Sequence, residues 1–598
     1  MTWETYRKQI EETNTFPEDW YVLGIDLGTT NSVISYWDNT AARPEPIDIS
    51  NGFGKVPLPS VVQYRPDDDH DEWVIGEEAY RSMKIYPTTT VRSIKRKMGT
   101  NETIKLGKKD YLPEEISAKI LQELVAHAQS LNPKAEIAGM VVSVPYDFDD
   151  AAQKATVRAC EIAGLKDKLI CLIKEPNAAA LAYNFRQQLQ EGERIMVFDF
   201  GGGTLDITLF HVTHRDESRI KLQVISQGGE AHHGGDDIDA ALIDFCGGLI
   251  EAKTGQPPAE LAVENQVELS SRAREAKERL SGVQRFRIPF TFCIPPFVEL
   301  LSRDEFHNLI KPFIDKTRKL VLKALRETYT GSLTPDDIDR VLLEGGSSQM
   351  PWVRDMLLDI FSNESKIYSS ERPALDISLG ATYYAAMKMG LLASPDVESD
   401  RDGAAGGYGP GGAHGGAGAY GGHAHGGAGA HGSTGGAFGG PGRHDSGGAS
   451  GKGRSGEKMS VEFEVTVSHD IGLELAAGSR KSFFPMIRRG TPFALAKKSH
   501  VFTLSGSTPE EMTGLDLKIL ERIDASDPYE ACKLIGEVSI KGLPTRPSGK
   551  TKLRVTLMVE EEGGLVRGMV EDMGFGAEYP ASGYKESFDP DRFNKTVI

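Results

Sequence analysis

The sequence predicts a large mixed α/β region followed by an all-β domain, and three observations support this. A strand–turn–strand block occurs twice, as VLGIDLGTTNSVISY at 22–36 and as IMVFDFGGGTLDITL at 195–209. Residues 21–390 mix strand-like runs with amphipathic helical patterns, whereas residues 458–598 alternate as strands do, with frequent turns. Between them, residues 403–456 are almost wholly Gly, Ala, His and Ser, which cannot bury enough apolar surface to fold.

These patterns divide the 598-residue chain into four segments. We expect an N-terminal extension over 1–20, an α/β domain over 21–392, a flexible Gly/Ala/His-rich linker over 393–457 and an all-β domain over 458–598. A chain of this length supports several domains with sizeable cores. The histidines of the linker are irregularly spaced and lack acidic partners, so compositional drift explains them better than a metal site.

The repeated block suits a phosphate-rich ligand. Its Gly and Thr turns point backbone N–H groups into a concavity, and the Thr hydroxyls are further donors. Asp26 and Asp199 stand at the ends of the first strands, where a carboxylate can hold a hydrated Mg²⁺. Two such hairpins in two similar parts of the chain predict a nucleotide clamped between two lobes.

Composition excludes several classes of function. The net charge of −18 argues against nonspecific binding to nucleic acid or to an anionic membrane, because both need a cationic face. The five cysteines are scattered without a CxxC pair, which is typical of buried thiols in a reducing compartment. No apolar run reaches transmembrane length, and residues 1–20 are polar and acidic rather than signal-like. We therefore expect a cytoplasmic protein that binds neither nucleic acid nor membrane.

Six motifs occur in an order that resembles the 70-kDa heat-shock chaperone family. They are GIDLGTTNS (24–32), VSVP (142–145), KEPNAAALAY (174–183), DFGGGTLDIT (199–208), GGDDID (234–239) and LEGGSSQMP (343–351). The resemblance implies an actin-like nucleotide-binding domain over 21–392, in which two ribonuclease-H-like halves close on ATP. More loosely, residues 458–598 resemble the family's β-sandwich peptide-binding domain, without room for its helical lid.

The resemblance also implies a role for each matching residue. The residues expected to contact the nucleotide are Gly28, Thr29, Thr30, Asn31, Gly201, Gly202, Gly203, Thr204, Gly234, Gly235, Lys277, Ser281, Gly345, Gly346 and Ser347. Asp26, Asp199 and Asp206 are the expected metal carboxylates, with Mg²⁺ held through water and Asp206 joining Thr204 around K⁺. Lys95, Glu175, Asp199 and Thr204 are the expected catalytic residues. Lys95 would neutralise the γ-phosphate, and Asp199 would orient the attacking water.

Several of these residues have a plainer interpretation. Lys95 stands in a basic patch with Lys97, which is also typical of a solvated face. Glu175 opens the AAALAY helix and could cap it. Gly345 and Gly346 follow a strand and precede a helix, as in any strand–helix turn, although glycines there also permit close approach of a nucleotide.

The adenosine side departs from the family pattern. The segment SRAREAKERLS (271–281) resembles the family's adenosine-binding helix and keeps Lys277 and Ser281. However, Arg274 stands where the family usually has Glu, and Gln349 stands where an Arg commonly stacks on adenine. The resemblance therefore leaves the phosphate chemistry intact and changes the base contacts.

The C-terminal part carries the expected peptide site. By resemblance, an extended apolar peptide binds there through its backbone, with a central side chain in a pocket. The best matches for the lining are Phe484, Phe502, Leu504, Leu515 and Leu517. Plain core packing explains each of these residues about as well. The family's short apolar interdomain linker is missing, and the long tether stands in its place.

The sequence therefore predicts a lidless ATP-dependent chaperone that uses ATP/ADP and Mg²⁺ and binds unfolded clients. A J-domain protein and a nucleotide-exchange factor are expected partners by resemblance. One alternative is a nucleotide-regulated holdase or sensor with negligible turnover. Another is a small-molecule kinase of the same fold, although a kinase has no use for an appended peptide-binding domain.

Overall fold

The computed structural model describes residues 1–588 with gaps. The residues outside the description are 14, 18, 50–55, 67–71, 217–218, 330, 393–459, 465–466, 468, 478–479, 493–494, 506–512, 523–526, 560–565 and 589–598. The predicted linker over 393–457 therefore lies outside the described residues. Two regions follow, an α/β region up to residue 392 and a C-terminal region from residue 460.

The first half of the α/β region runs to residue 187. Its helices are α1 (Trp3–Thr13), α2 (Glu77–Ser82), α3 (Pro113–Leu131), α4 (Asp150–Ile162) and α5 (Glu175–Gln187). Its strands are β1 (Trp20–Asp26), β2 (Asn31–Asp38), β3 (Arg43–Pro46), β4 (Leu58–Pro59), β5 (Val61–Arg65), β6 (Glu72–Ile75), β7 (Thr90–Arg92), β8 (Ile104–Leu106), β9 (Lys109–Tyr111), β10 (Glu136–Val144) and β11 (Leu169–Lys174).

The second half of the α/β region begins at residue 194. Its helices are α6 (Gly235–Thr254), α7 (Val263–Gly282), α8 (Arg303–Leu309), α9 (Lys311–Arg326), α10 (Pro351–Phe361) and α11 (Pro373–Lys388). Its strands are β12 (Arg194–Phe200), β13 (Thr204–Asp216), β14 (Arg219–Ala231), β15 (Arg285–Phe290), β16 (Phe297–Ser302), β17 (Arg340–Glu344) and β18 (Ile367–Ser369).

The C-terminal region contains strands and one short 3₁₀ turn among its described residues. The strands are β19 (Ser460–Glu464), β20 (Asp470–Ala477), β21 (Arg480–Ile487), β22 (Lys497–Leu504), β23 (Gly514–Arg522), β24 (Lys533–Lys541), β25 (Thr551–Val559), β26 (Val566–Gly574) and β27 (Lys585–Phe588).

The two halves of the α/β region repeat one sheet topology. The first sheet has the order β11-β10-β1-β2-β3, and the second has the order β18-β17-β12-β13-β14-β19. In each, three antiparallel strands follow one another, and the first of them pairs in parallel with a later strand, β10 or β17. Both predicted hairpins are therefore confirmed, and each lies at the same place in its own sheet.

Each sheet has its own apolar core. The first core joins β1, β2 and β10 to helix α3, whose Ile116, Ile120 and Leu124 are fully buried. These residues recur every four positions, so they occupy one face of the helix. The second core joins β12 and β13 to helices α6 and α7, with Phe198 and Phe200 at its centre.

The N-terminal extension is more ordered than its polar composition indicates. Residues Trp3–Thr13 form helix α1, and Tyr6 and Ile10 bury the same face of it because they are one turn apart. The Tyr6 hydroxyl donates a hydrogen bond to Glu136, and the Lys168 ammonium lies 4.5 Å from the centre of the Tyr6 ring. The helix is therefore fastened to strand β10 of the first sheet and to the turn before β11.

The C-terminal region has two four-stranded antiparallel sheets. One has the order β21-β20-β23-β24 and the other β22-β25-β26-β27. Their inward-facing residues form one core, which includes Leu473, Ile519, Val538, Leu557 and Val570. Two sheets that share one core in this way form a sandwich.

The position of β19 differs from the sequence prediction. The run SVEFEVTV (460–467) alternates cleanly, and this indicated a strand of the all-β domain. The structure instead pairs Ser460–Glu464 in parallel with β14, at the edge of the second α/β sheet. The Phe463 ring lies 5.8 Å from the Tyr384 ring of α11. Alternation specifies a half-buried strand but not which sheet accepts it.

Among the described residues, no helix has the length and apolar character needed to cross a lipid bilayer.

Candidate nucleotide site

A cavity of about 250 Å³ lies between the two halves of the α/β region. All four residues with predicted catalytic roles line it, and so do the predicted nucleotide contacts except Gly234 and Gly235. Of the three predicted metal carboxylates, Asp26 and Asp199 line the cavity. Asp206 lies just behind the lining, where it accepts a hydrogen bond of 2.9 Å from the Thr204 hydroxyl.

The two predicted phosphate loops face each other across the cavity. A side chain on Gly202 would collide with the Thr30 hydroxyl, and one on Gly203 would lie 2.8 Å from the Thr29 hydroxyl. Gly202 and Gly203 of the second loop are therefore required by the close approach of the first loop. The β1–β2 turn and the β12–β13 turn thus line the same cavity.

Lys95 occupies the centre of this cavity. It lies in a 3₁₀ turn, Ile94–Lys97, and only 7% of it is exposed. Its ammonium lies 2.5 Å from the Glu175 carboxylate. Burial disfavours the charged ammonium, but Glu175 and Asp26 outweigh this and raise the pKa of Lys95 above its usual value. Lys95 therefore stays cationic and is not part of a solvated face.

Four buried acidic groups lie close to Lys95 or behind it. Burial raises the pKa of Glu175 to about 7, with Asp26 adding to the shift and Lys95 opposing it. Burial, with the neighbouring carboxylates, also raises the pKa values of Asp199 and Asp206 well above their usual range. Burial also raises the pKa of Asp26. The nearby Lys95 and the hydrogen bond of 2.9 Å from the Ser143 hydroxyl act to lower it, but burial outweighs them.

This donor set fits a cation. A positive charge at the cavity would relieve the repulsion between the carboxylates and favour their ionised forms. Across the described part of the chain, however, no three acidic, His or Cys side chains converge tightly enough to ligate a metal directly. Carboxylates at this wider spacing suit Mg²⁺ that keeps part of its water shell.

Gly345 and Gly346 have different reasons to be glycine. Gly345 has a φ of 76°, and a Cβ there would lie 2.5 Å from the Phe200 carbonyl oxygen. Gly346 has open space where a Cβ would be, and it lines the cavity. The turn itself therefore requires Gly345, whereas Gly346 leaves room for a ligand.

Helix α7 supplies the remaining wall. Lys277 donates a hydrogen bond of 2.9 Å to the Gly235 carbonyl and lies 2.7 Å from the Asp239 carboxylate. The Ser281 hydroxyl donates to the Lys277 carbonyl at 3.1 Å. Gly235, the first residue of α6, therefore contacts this wall, whereas Gly234 packs against the loop at Gly202 and Gly203.

Contacts between the two halves were not anticipated from the sequence. The Ser93 hydroxyl donates to Asp236 at 2.7 Å, and Arg96 donates to the Gly203 carbonyl at 2.7 Å and to Asp237 at 2.9 Å. Farther out, Lys84 and Glu268 form an ion pair. The sequence offered one hint of these contacts between the halves, which is that Arg96 directly follows Lys95. Together these contacts join the two halves beside the cleft.

The sequence comparisons agree with this geometry. The Hsp70 protein family profile matches residues 22–398. The chain belongs to the Hsp70 family. It is 30% identical to chaperone protein DnaK of Thermosipho melanesiensis over 568 residues, which are 93% of this chain and 79% of that protein. Chaperone protein DnaK of Ureaplasma parvum is 36% identical over 381 residues, 62% of this chain and 58% of its own length. Chaperone protein DnaK of Thermotoga maritima is 30% identical over 569 residues.

The C-terminal region of this Hsp70 family member matches a different profile. Residues 466–588 match a domain of unknown function, DUF8552. The profile boundary at 466 follows β19, which agrees with the structural assignment of β19 to the α/β sheet.

The predicted peptide-lining residues lie partly in the sandwich core. Leu517 is buried, with 5% of it exposed, and Phe484, Phe502, Leu504 and Leu515 pack against the same core while partly exposed. The Phe484 and Phe502 rings lie 5.2 Å apart, and the His500 ring is 4.7 Å from each. Leu517 is thus a core residue, whereas the other four residues of the set are exposed enough for a peptide to reach.

Proposed function

We propose that this protein is an ATP-dependent chaperone of the cytoplasm. ATP would bind and hydrolyse in the cleft of residues 21–392, which would have the actin-like fold, and residues 458–598 would bind extended apolar segments of unfolded proteins. The observation that carries the proposal is the buried Lys95–Glu175 pair beside Asp199, facing two phosphate-type loops that meet across one cavity.

The phosphates would lie between the two loops, whose backbone N–H groups and Thr hydroxyls would act as donors. Asp26 and Asp199 would hold Mg²⁺ through water, and Asp206 with Thr204 would hold K⁺. When bound, Mg²⁺ would neutralise charge on the phosphate oxygens.

The chain's own residues account for the hydrolytic step. Lys95 is held cationic, so its ammonium would neutralise charge that develops on the γ-phosphate. Glu175 lies 2.5 Å from that ammonium and would fix its position. Asp199 lines the cavity, and its carboxylate would orient the attacking water or accept its proton.

The two regions are in contact in a way that would couple nucleotide and client. Strand β19 extends the second α/β sheet, and Arg489 of the C-terminal region donates to the Gln227 carbonyl of β14 at 3.0 Å. Lys533 of β24 forms an ion pair with Asp149, the residue that caps helix α4. J-domain and nucleotide-exchange partners would act on this assembly, as the family resemblance implies.

Lys174 would carry this coupling to the catalytic carboxylate. It directly precedes Glu175 and donates to the carbonyls of Pro145, Tyr146 and Phe148 at 3.3, 3.1 and 3.2 Å. Those carbonyls belong to the loop that leads into Asp149. Movement of the Lys533–Asp149 contact would therefore be transmitted to Glu175 through the backbone.

Steady-state ATP hydrolysis by the full chain, with and without an extended Leu-rich peptide, tests the proposal. We expect turnover that rises with peptide. Lys95→Ala should lower kcat by at least about 100-fold, since one well-placed electrostatic contact supplies that much. Lys97→Ala is the matched control, because the exposed Lys97 pairs with Glu102 and does not line the cavity.

Three other outcomes would contradict parts of the proposal. ATP binding without turnover would favour a nucleotide-regulated holdase or sensor. Turnover that ignores peptide would mean that the two regions act independently. Transfer of phosphate to a small-molecule acceptor would favour a kinase, and this would appear as a phosphorylated product beside ADP.

A further inference from the structure

One wall of the nucleotide cavity is built from two separate segments of the chain. The turn after β17 contributes residues 345–347, and the start of α11 contributes Pro373, Ala374 and Ile377. The two phosphate-type loops and Lys95 line other parts of the cavity. The shape of this wall, and with it the affinity for a nucleotide, therefore depends on what holds the turn and the helix against each other.

Two buried carboxyl groups lie directly behind this wall. Glu344 is the last residue of β17 and precedes the turn, and Asp376 precedes Ile377 in the first turn of α11. Each of the two residues is only 2% exposed. The Oε2 atom of Glu344 is buried and has no hydrogen-bond partner among the residues that the structure describes. Negative charge on both groups would push the turn and the helix apart, because like charges repel strongly where water is excluded.

One guanidinium acts on both carboxyl groups. Arg186, near the end of α5, forms an ion pair with Asp376 at 2.7 Å, and 32% of its side chain is exposed. Burial, Asp376 and Asp199 raise the pKa of Glu344 well above its usual range, and the charge of Arg186 opposes this shift. Removal of one partner from a buried ion pair leaves a buried charge without compensation. Arg186 therefore balances the charge on which the spacing of the two wall segments depends.

We propose that Arg186 is a positioning residue for nucleotide binding, which acts by neutralising the carboxyl groups of Asp376 and Glu344 behind the wall. This inference rests on the proposed nucleotide site. Arg186 does not itself line the cavity, so its effect on the nucleotide passes through the turn after β17 and the start of α11. Loss of a contact that serves bound nucleotide and transition state equally raises KM and leaves kcat unchanged.

The test measures KM and kcat for hydrolysis of MgATP and the Kd of a fluorescent ATP analogue, using the full chain. We expect Arg186→Gln to raise KM and Kd about five- to tenfold while kcat changes by less than about twofold. The matched control is Arg158→Gln. It breaks a similar ion pair, Arg158–Glu114 at 3.0 Å with 40% and 5% of the side chains exposed, which joins α4 to α3 away from the cavity. The control should leave KM and Kd unchanged.

A double variant separates the charge of Arg186 from its packing. Arg186→Gln combined with Asp376→Asn places neutral amides at both positions, so KM should return to within about twofold of the unmodified value. A double variant that keeps the high KM, or that does not fold, would show that the guanidinium acts by packing and would overturn the inference. Should Arg186→Gln alone fail to fold, a folded double variant with normal KM supports the charge balance.

The outcomes distinguish this inference from the proposed function. An unchanged KM in Arg186→Gln, beside normal turnover, would overturn the role of Arg186 and leave the proposed ATPase intact. If the unmodified chain neither hydrolyses ATP nor binds the fluorescent analogue, the proposed function itself is wrong, and the inference falls with it.

Discussion

Glu175 and Lys95 form the pair on which the chemistry of the cleft depends. Both side chains are 8% exposed, and their charged atoms lie 2.5 Å apart. The sequence favoured catalytic roles for both residues, although a solvated Lys95 and a helix-capping Glu175 were the alternatives. Glu175 does begin helix α5, but its carboxylate is directed at Lys95 and not only at the helix N-terminus.

The raised pKa of Glu175 predicts a pH-dependent stability for the nucleotide-free protein. The folded chain raises that pKa from 4.5 to about 7, mainly by burial, so between these values the folded state binds a proton more tightly than the unfolded state. Stability from this group is therefore present at low pH and lost as pH rises through about 7. Between pH 5 and pH 8 we expect the unmodified chain to lose on the order of 1–3 kcal/mol of unfolding free energy through this group. Glu175→Gln should not show this loss.

Urea unfolding at the two pH values measures this effect. The control is Glu264→Gln, because Glu264 is an exposed glutamate outside the cavity. The quantity compared is the change in unfolding free energy between pH 5 and pH 8. The free energy at one pH is not compared, because Lys95 also loses a partner in Glu175→Gln. If Glu175→Gln and the unmodified chain lose the same stability between pH 5 and pH 8, the raised pKa is wrong.

At the scale of elements, the repeated hairpins were the most predictable part of the molecule. Gly and Thr turns after an apolar run ending in Asp are local signals, and β1–β2 and β12–β13 pair as those signals indicate. Helix α1 was missed because its polar residues mask the two that face the core, Tyr6 and Ile10. Strand β19 was assigned to the wrong sheet because its alternation fits either one.

Contact between helix α7 and the first half of the α/β region should control nucleotide release. Lys84 and Glu268 form an ion pair across the mouth of the cleft, and 46% of the Lys84 side chain is exposed. A part-exposed pair of this kind contributes about 1 kcal/mol. Lys84→Ala should therefore speed dissociation of a fluorescent ATP analogue about fivefold, as measured by stopped-flow chase.

Lys97→Ala is again the matched control. Lys97 is exposed to a similar degree, 45% of its side chain, but its partner Glu102 lies in the same half of the α/β region. Its loss should leave the dissociation rate unchanged. Equal rates for Lys84→Ala and the unmodified chain would show that the ion pair does not hold the cleft closed.

On the scale of the whole molecule, the C-terminal region contacts the α/β region at separate points. Strand β19 lies beside β14, Arg489 reaches the Gln227 carbonyl, and Lys533 pairs with Asp149. The long tether separates the two regions in the sequence. Arg489 nevertheless joins the sandwich to the sheet that carries Asp199, and Lys533 joins it to helix α4 of the first half.

The Lys533–Asp149 pair offers a clean test of coupling. Lys533→Ala and Asp149→Asn both remove the ion pair, and Asn keeps the helix cap because it also accepts from the backbone N–H of Ala152. We expect each variant to reduce peptide stimulation of ATP hydrolysis by about two- to fivefold. Basal turnover without peptide serves as the internal reference.

The double variant completes the comparison. If the two side chains act through each other, the double variant should lose no more stimulation than either single variant. Additive losses would mean that Lys533 and Asp149 act separately. Stimulation unchanged in all three would mean that the contact does not couple the regions.

The order of the two regions, the positions of the phosphate-type turns and the family motifs could all be predicted from neighbouring residues, because turn chemistry and periodicity are local properties. The groups that meet across the chain could not be predicted in this way. Lys95 finds Glu175 at a separation of 80 residues, and Lys533 finds Asp149 at a separation of 384. Such pairs, and the raised pKa values around them, depend on burial that the whole fold creates, so no local pattern specifies them.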